Sequence, residues 1–132
     1  MAFQFSTTLR TNQAGTIQTT IGASGVLKIF SGAEPANPAA ADPSGLLATI
    51  TLPATFLTSA SGATTIAGTW STTASATGTA ASFRMYDGSA VCHIQGNVTI
   101  TGGGGNLTLD STSLTSGQIV AATTFTATAG NA

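Results

Sequence analysis

The stretch 81-ASFRMYDGSAVCHIQGNVTI-100 decides the fold. Its apolar residues recur at every second position. Phe83 and Met85 alternate with Arg84 and Tyr86, and Cys92, Ile94, Val98 and Ile100 alternate with Val91, His93, Gln95, Asn97 and Thr99. A period of two is that of a strand with one buried face, and Asp87-Gly88 between the two runs is a hairpin signal. The pattern predicts two antiparallel strands, with Phe83, Met85 and Cys92 turned to the core and Arg84, Tyr86 and His93 turned to solvent.

Working outward, the same period recurs. In 25-GVLKIFSG-32, Leu27 and Ile29 oppose Lys28, and 46-LLATITLP-53 alternates until Pro53 ends it. Between them, 32-GAEPANPAAADPSG-45 carries Pro35, Pro38 and Pro43, which cannot donate to a ladder, so it reads as a long surface connection. The segment 54–70 reads as a short strand, a Ser/Gly turn and a second strand ending at Trp70, and 71–80 as small-residue coil or edge. On the C-terminal side, Leu107 and Leu109 continue the alternation, and Ile119, Ala121, Thr123, Phe125 and Ala127 share a face of the last strand.

One segment departs from this period. In 6-STTLRTNQAGTIQTTIG-22, Leu9, Gln13, Ile17 and Ile21 recur every four residues with Ala14 beside them, Ser6 can cap the first turn and Gly22 can stop the last. A short N-terminal helix is expected over residues 6–21. About eight short strands separated by turn signals then define an all-β fold, an antiparallel jelly-roll-like sandwich forming a single domain over residues 1–132. Residues 1–5 and 126–132 are expected to be ordered arms.

Composition restricts function. Charged residues make up 5% of the chain, against roughly 25% in an ordinary soluble domain. The ionic inventory is Arg10, Lys28, Arg84, Glu34, Asp42, Asp87 and Asp110, with a net charge of −1, so no field gathers nucleic acid or anionic lipid. Regularly spaced Ile, Leu, Val and Phe argue against disorder. No apolar run is long enough to span a bilayer, the N-terminus lacks the pattern of a secretory signal, and the single Cys92 excludes an internal disulfide. Synthesis in a reducing cytoplasm is expected.

The candidate sites are few. The run 99-TITGGGGNLTLD-110 lacks the Gly-Lys-Ser/Thr end of a phosphate loop and is followed by an alternating strand, so it reads as a flexible turn between antiparallel strands, with Asn106 able to go left-handed. Cys92 and His93 are sequence neighbours, but strand geometry sends them to opposite faces unless a bulge intervenes. Neither they nor Glu34 and Asp42 in the proline loop make a convincing metal-ligand set; the two acids read as solvated loop charges. Asp87 and Asp110 adjoin turns, where a carboxylate bonds local amides. The sequons at Asn97 and Asn106 carry no meaning without secretion. Trp70 and Tyr86 are the pair that would form a sugar-binding platform, although core packing is the commoner role of such residues. No catalytic residue, cofactor or metal is expected.

Several motifs then stand in a distinctive order: the Ala/Thr/Gly stretch from 68-GTWSTTASATGTA-80, a Phe-Arg-X-Tyr strand with its turn, the glycine turn into Asn-Leu-Thr-Leu, and the closing Thr-Ala-Gly-Asn-Ala at 128–132. With 6-STTLRTNQ-13 and 22-GASGVLKIFSGAEPA-36, this order resembles small virion proteins encoded in tailed phages and prophages. The resemblance implies a non-enzymatic head cement or decoration protein on the capsid surface of the virion. Its implied partners are the major capsid protein and further copies of itself, as a dimer or trimer, with no nucleic acid and no membrane. Phe3 and Phe5 in the N-terminal arm are the expected anchors to the shell or a sister subunit. The alternative is a receptor- or glycan-binding module of a tail or fibre.

Overall fold

The computed structural model describes residues 4–127. Helix α1 (Thr7–Ile21) leads into β1 (Val26–Phe30), β2 (Leu46–Thr51), β3 (Leu57–Ala60), β4 (Ala63–Ile66), β5 (Ser71–Thr73), β6 (Gly78–Thr79), β7 (Ser82–Tyr86), β8 (Cys92–Ile100), β9 (Leu107–Leu109), β10 (Ser113–Leu114) and β11 (Ile119–Phe125). The architecture is all-β and sandwich-like with one N-terminal helix. The strands beyond the expected eight include β5, β6 and β10, each three residues or shorter. An alternation needs about four residues to show itself.

Seven strands form one sheet in the order β2-β1-β7-β8-β9-β11-β5, while β3–β4 is a separate hairpin and β6–β10 a separate pair of strands distant in sequence. The main sheet curls until its edges nearly meet. There the Ser75 backbone N–H (2.8 Å) and Oγ (3.2 Å) both donate to the Leu47 carbonyl. Inside lie Leu27, Ile29, Leu47, Ile50, Phe83, Met85, Leu107, Leu109 and Val120, all buried. Trp70 sits among the core aromatics, with ring centroids 6.1 Å from Phe56 and 5.6 Å from Phe125, and its Nε1–H donates to the Phe56 carbonyl at 3.2 Å.

The helix forms where expected. Ser6 Oγ accepts from the Leu9 N–H at 3.1 Å, and Gly22, with φ of 76°, ends it. Its inward face keeps Ala14, Ile17 and Ile21 of the expected stripe but not Leu9 or Gln13. Leu9 is 44% exposed and Gln13 is exposed, whereas Ala14 and Ile21 are buried and Ile17 and Gln18 half-buried. The residues at 14, 17, 18 and 21 make one face at helical spacing. Gln18 is the polar member: its Oε1 accepts from the Phe56 and Leu57 N–H groups (2.9 and 3.0 Å), and its Nε2 donates to the Ala54 carbonyl (2.9 Å). The helix thereby satisfies the backbone entering β3, whose outer groups would otherwise lack partners.

The four glycines do not join antiparallel strands. β9 runs parallel to β8, with Val98 opposite Leu107 and Ile100 opposite Leu109. Parallel neighbours usually need a long crossover. Here residues 101–106 retrace only the two positions from Ile100 back to the level of Val98. The return is folded against Thr99: a Cβ at Gly103 or Gly105 would come within 2.8 Å of the Thr99 side chain, and Gly105 N–H donates to Thr99 Oγ1. The left-handed positions are Gly102 and Gly104, not Asn106. Asn106 instead pairs with Asn97, each side-chain Oδ1 accepting from the other's backbone N–H (3.0 and 3.4 Å).

Two bulges also change which residues face inward. A register shift between Ala122 and Thr124 in β11 reverses the alternation, so that Val120 and Phe125 are both buried while Ile119 is 69% exposed. An extra residue in one strand moves all that follows to the other face. The second bulge lies at the start of β8 and shapes the site described next.

Candidate functional site

The site is the outer face of β1, β7 and β8, roofed by the proline segment. Cross-strand registers place Lys28 opposite Arg84 and Arg84 opposite Gln95, with Tyr86 one row along. Alternation correctly turns Arg84 and Tyr86 away from Phe83 and Met85, but it does not expose them. Arg84 is 1% exposed and Tyr86 is buried, because residues 33–43 lie across them as a strap. The neck of the strap is closed by Ser31 N–H to the Gly45 carbonyl (2.8 Å) and Gly32 N–H to the Ser44 carbonyl (3.0 Å).

Polar groups tie the strap down. Arg84 Nη1 donates to Asp42 Oδ1 at 2.6 Å and Nη2 to the Pro38 carbonyl at 2.6 Å. The Tyr86 hydroxyl donates to the same Asp42 oxygen at 2.5 Å, and Gln95 Nε2 donates to the Pro35 carbonyl at 2.5 Å. A buried guanidinium requires such partners, since an unpaired charge in the interior is costly. Asp42 is therefore not a simple solvated loop charge: its side chain is 43% exposed, but it anchors the strap. Glu34, on the same strap, is exposed.

Between the strap and the β7–β8 hairpin is an open cleft of about 810 Å³, floored by Lys28, Arg84 and Tyr86 and walled in part by Cys92 and His93. The bulge brings these last two to one place. Met85 pairs with Ile94 but Tyr86 pairs with Cys92, which leaves His93 as the extra residue. Cys92 thus leaves the core face and stands half-buried beside Tyr86, contrary to simple alternation. Its thiol donates weakly to the Ile94 carbonyl (3.4 Å), while His93 Nε2 meets Asp87 Oδ2 at 2.9 Å. Asp87 also accepts from the Ser89 and Val91 N–H groups, as expected of a turn carboxylate.

The electrostatics follow from these contacts. Burial pushes the Asp42 carboxyl up, but hydrogen bonds from Tyr86 and Arg84 outweigh it and hold its pKa below the ordinary value. Burial raises the Tyr86 phenol, and its bond to Asp42 raises it further. Burial opposes the charge on Arg84, yet Cys92, Asp42 and Tyr86 together hold its pKa above the usual guanidinium value. The bond to His93, then the Val91 amide, lowers Asp87.

These directions set a pH window. A carboxyl depressed on folding stabilises fully above its unfolded pKa, roughly 4, and that contribution is lost as pH falls through the folded value. A phenol raised on folding stabilises fully below its unfolded pKa, about 10, and loses this as pH rises. Thermal unfolding temperatures should therefore fall below about pH 4 and above about pH 10. Because Asp42 is partly exposed, its acid-side contribution should stay within about 1 kcal/mol. Tyr86→Phe should flatten the alkaline limb; an unchanged limb would mean that Tyr86 does not couple to folding.

The remaining sequence candidates fall elsewhere. Trp70 is 1% exposed and lies in the core, apart from Tyr86 under the strap, so the two form no exposed platform. Among the described residues, no three His, Cys, Asp or Glu side chains gather as a metal site, and no helix is long and apolar enough to cross a membrane. Phe3 and residues 128–132 of the C-terminal arm lie outside the described residues; Phe5 is half-buried. The start of that arm is tied to β4, where Thr64 N–H donates to the Ala127 carbonyl and Ala127 N–H to Thr64 Oγ1, both at 3.0 Å. Sequence reasoning missed the strap contacts. The available signal was Arg84 itself, a cation between Phe83 and Met85 in a chain with few charges. No protein family, curated protein or solved structure matches this chain.

Proposed function

We propose that the protein is a non-enzymatic structural component that clamps onto neighbouring subunits, as a cement or decoration protein does on the capsid shell of a tailed phage. The observation that carries this reading is the withdrawal of charge from an already charge-poor surface. Arg84 pairs with Asp42, and His93 pairs with Asp87. What remains outside is largely Thr, Ser, Ala and Gly, with Leu9, Leu46, Val91, Ile100 and Ile119 exposed. Some threonine hydroxyls already bond one another, as Thr108 does with Thr123 (2.7 Å) and Thr124 (2.6 Å). Short side chains with partly satisfied hydroxyls lose little entropy and little solvation on docking. The sequence resemblance supports the same class of partner, a major capsid protein together with further copies of this chain as a dimer or trimer, and hence a place on the virion surface.

The glycan-binding alternative loses its aromatic platform through the burial of Trp70 and Tyr86. The clamp reading is tested by sedimentation with capsid shells and by imaging of the decorated particle. Removing residues 1–5, which include Phe3 and Phe5, should abolish co-sedimentation without unfolding the protein, as read by circular dichroism. Undiminished attachment would remove the N-terminal arm from the interface, and failure of the intact protein to bind any shell would overturn the reading.

A further inference from the structure

We propose that the cleft beneath the strap is a binding site for a carboxylate, held by the Lys28 ammonium over a floor charged by Arg84, with the Cys92 thiol at its side. The argument begins with charge. Lys28 and Arg84 are neighbours across β1 and β7, and both face this cleft. One acid, Asp42, answers them, and it is already shared by Arg84 and the Tyr86 hydroxyl. Asp87 is engaged by His93 and two backbone amides. Lys28 makes no ion pair among the described residues; its Nζ sits 4.9 Å from the centre of the Tyr86 ring.

A second observation points the same way. Arg84 is 1% exposed, yet its Nε is buried without a hydrogen-bond partner. One donor of the floor is thus left without a partner, while the guanidinium as a whole is paired with Asp42. Among the side chains that line the cleft, two cations face one carboxylate, and Lys28 is the cation left without an ion-pair partner. A cleft lined by one unanswered charge over low-dielectric walls concentrates the opposite charge. Two sources carry that chemistry: a small free carboxylic acid, or an acidic side chain presented by a partner.

Cys92 provides the readout. Iodoacetate and iodoacetamide alkylate a thiolate by the same step, in which sulfur attacks the methylene carbon, the C–S bond forms and iodide leaves with the electron pair of the C–I bond. The reagents differ in charge, and the ratio of their rates cancels the fraction of thiolate. With the whole protein, that ratio should exceed the ratio for the neutral thiol N-acetylcysteine amide by about tenfold, and 1 M salt should collapse the excess. Lys28→Gln should return it to the reference value, and Lys28→Arg should retain most of it. A ratio equal to that of N-acetylcysteine amide, or an excess that survives in a folded Lys28→Gln protein, would overturn the proposal.

Protection of Cys92 from iodoacetamide separates the two sources. Protection by millimolar acetate supports a free acid, protection only by a glutamate-containing peptide supports a partner side chain, and protection by neither overturns the site. The measurement uses no capsid shell, so its outcome is independent of the clamp reading.

Discussion

Trp70→Ala is expected to destabilise the protein by about 3–5 kcal/mol, the range for emptying a large aromatic site in a packed core. Trp70 is 1% exposed and touches both Phe56 and Phe125, and Phe125 in turn meets Phe83 edge-on at 5.8 Å. These residues come from the segment before β3, the segment before β5, the end of β11 and the middle of β7. One truncation therefore loosens the join between the main sheet and the β3–β4 hairpin. It also leaves the Phe56 carbonyl without the indole donor. Since Trp70 is the sole tryptophan, unfolding is best followed by circular dichroism in urea. Trp70→Phe, which keeps most of the ring volume, should cost less than half as much. A loss under about 1 kcal/mol for the alanine variant would show that the core collapses around the gap and does not depend on this residue.

Arg84→Met is the second large effect, at about 2–3 kcal/mol. Removing one partner of a fully buried pair costs about 3–5 kcal/mol, because the other charge is stranded. Here the stranded group, Asp42, is 43% exposed and recovers part of its hydration, so the lower figure applies. The Pro38 carbonyl also loses its donor. Methionine preserves most of the apolar stem, which separates the polar contribution from simple loss of packing. The strap should loosen before the barrel does, so cleavage within residues 33–43 by a non-specific protease should accelerate while the far-ultraviolet spectrum stays native. Asp42→Asn should weaken the strap by a smaller amount. A more stable Arg84→Met protein would mean that the strap is held by its neck and its prolines alone.

The second effect bears on function through the outer face of β1, β7 and β8. The strap covers the charges of β7 and forms one wall of the cleft. Loosening it with Arg84 in place, as in Asp42→Asn, would expose a guanidinium on a surface whose near-neutrality carries the proposed mode of docking. It would also alter access to Cys92, so the alkylation rate of this residue reports on strap closure as well as on the cleft.

The order of elements was legible from local pattern. The period of two in β1, β2, β7 and β8, the Asp87-Gly88 hairpin and the capped helix from Ser6 to Gly22 all follow from steric preferences of a few adjacent residues, and those act before any long-range contact forms. The low charge was equally plain, since composition does not depend on folding.

What lay beyond that reading depends on contacts between residues far apart in the chain. The bulge that turns Cys92 outward and the reversal within β11 each shift register, the parallel pairing of β9 sets strand direction, and a period of two carries no record of either. The strap is the clearest case. Arg84 and Asp42 are 42 positions apart, and nothing local to either tells of the other. Alternation says which face a residue points to; whether that face meets water is settled by what else folds over it.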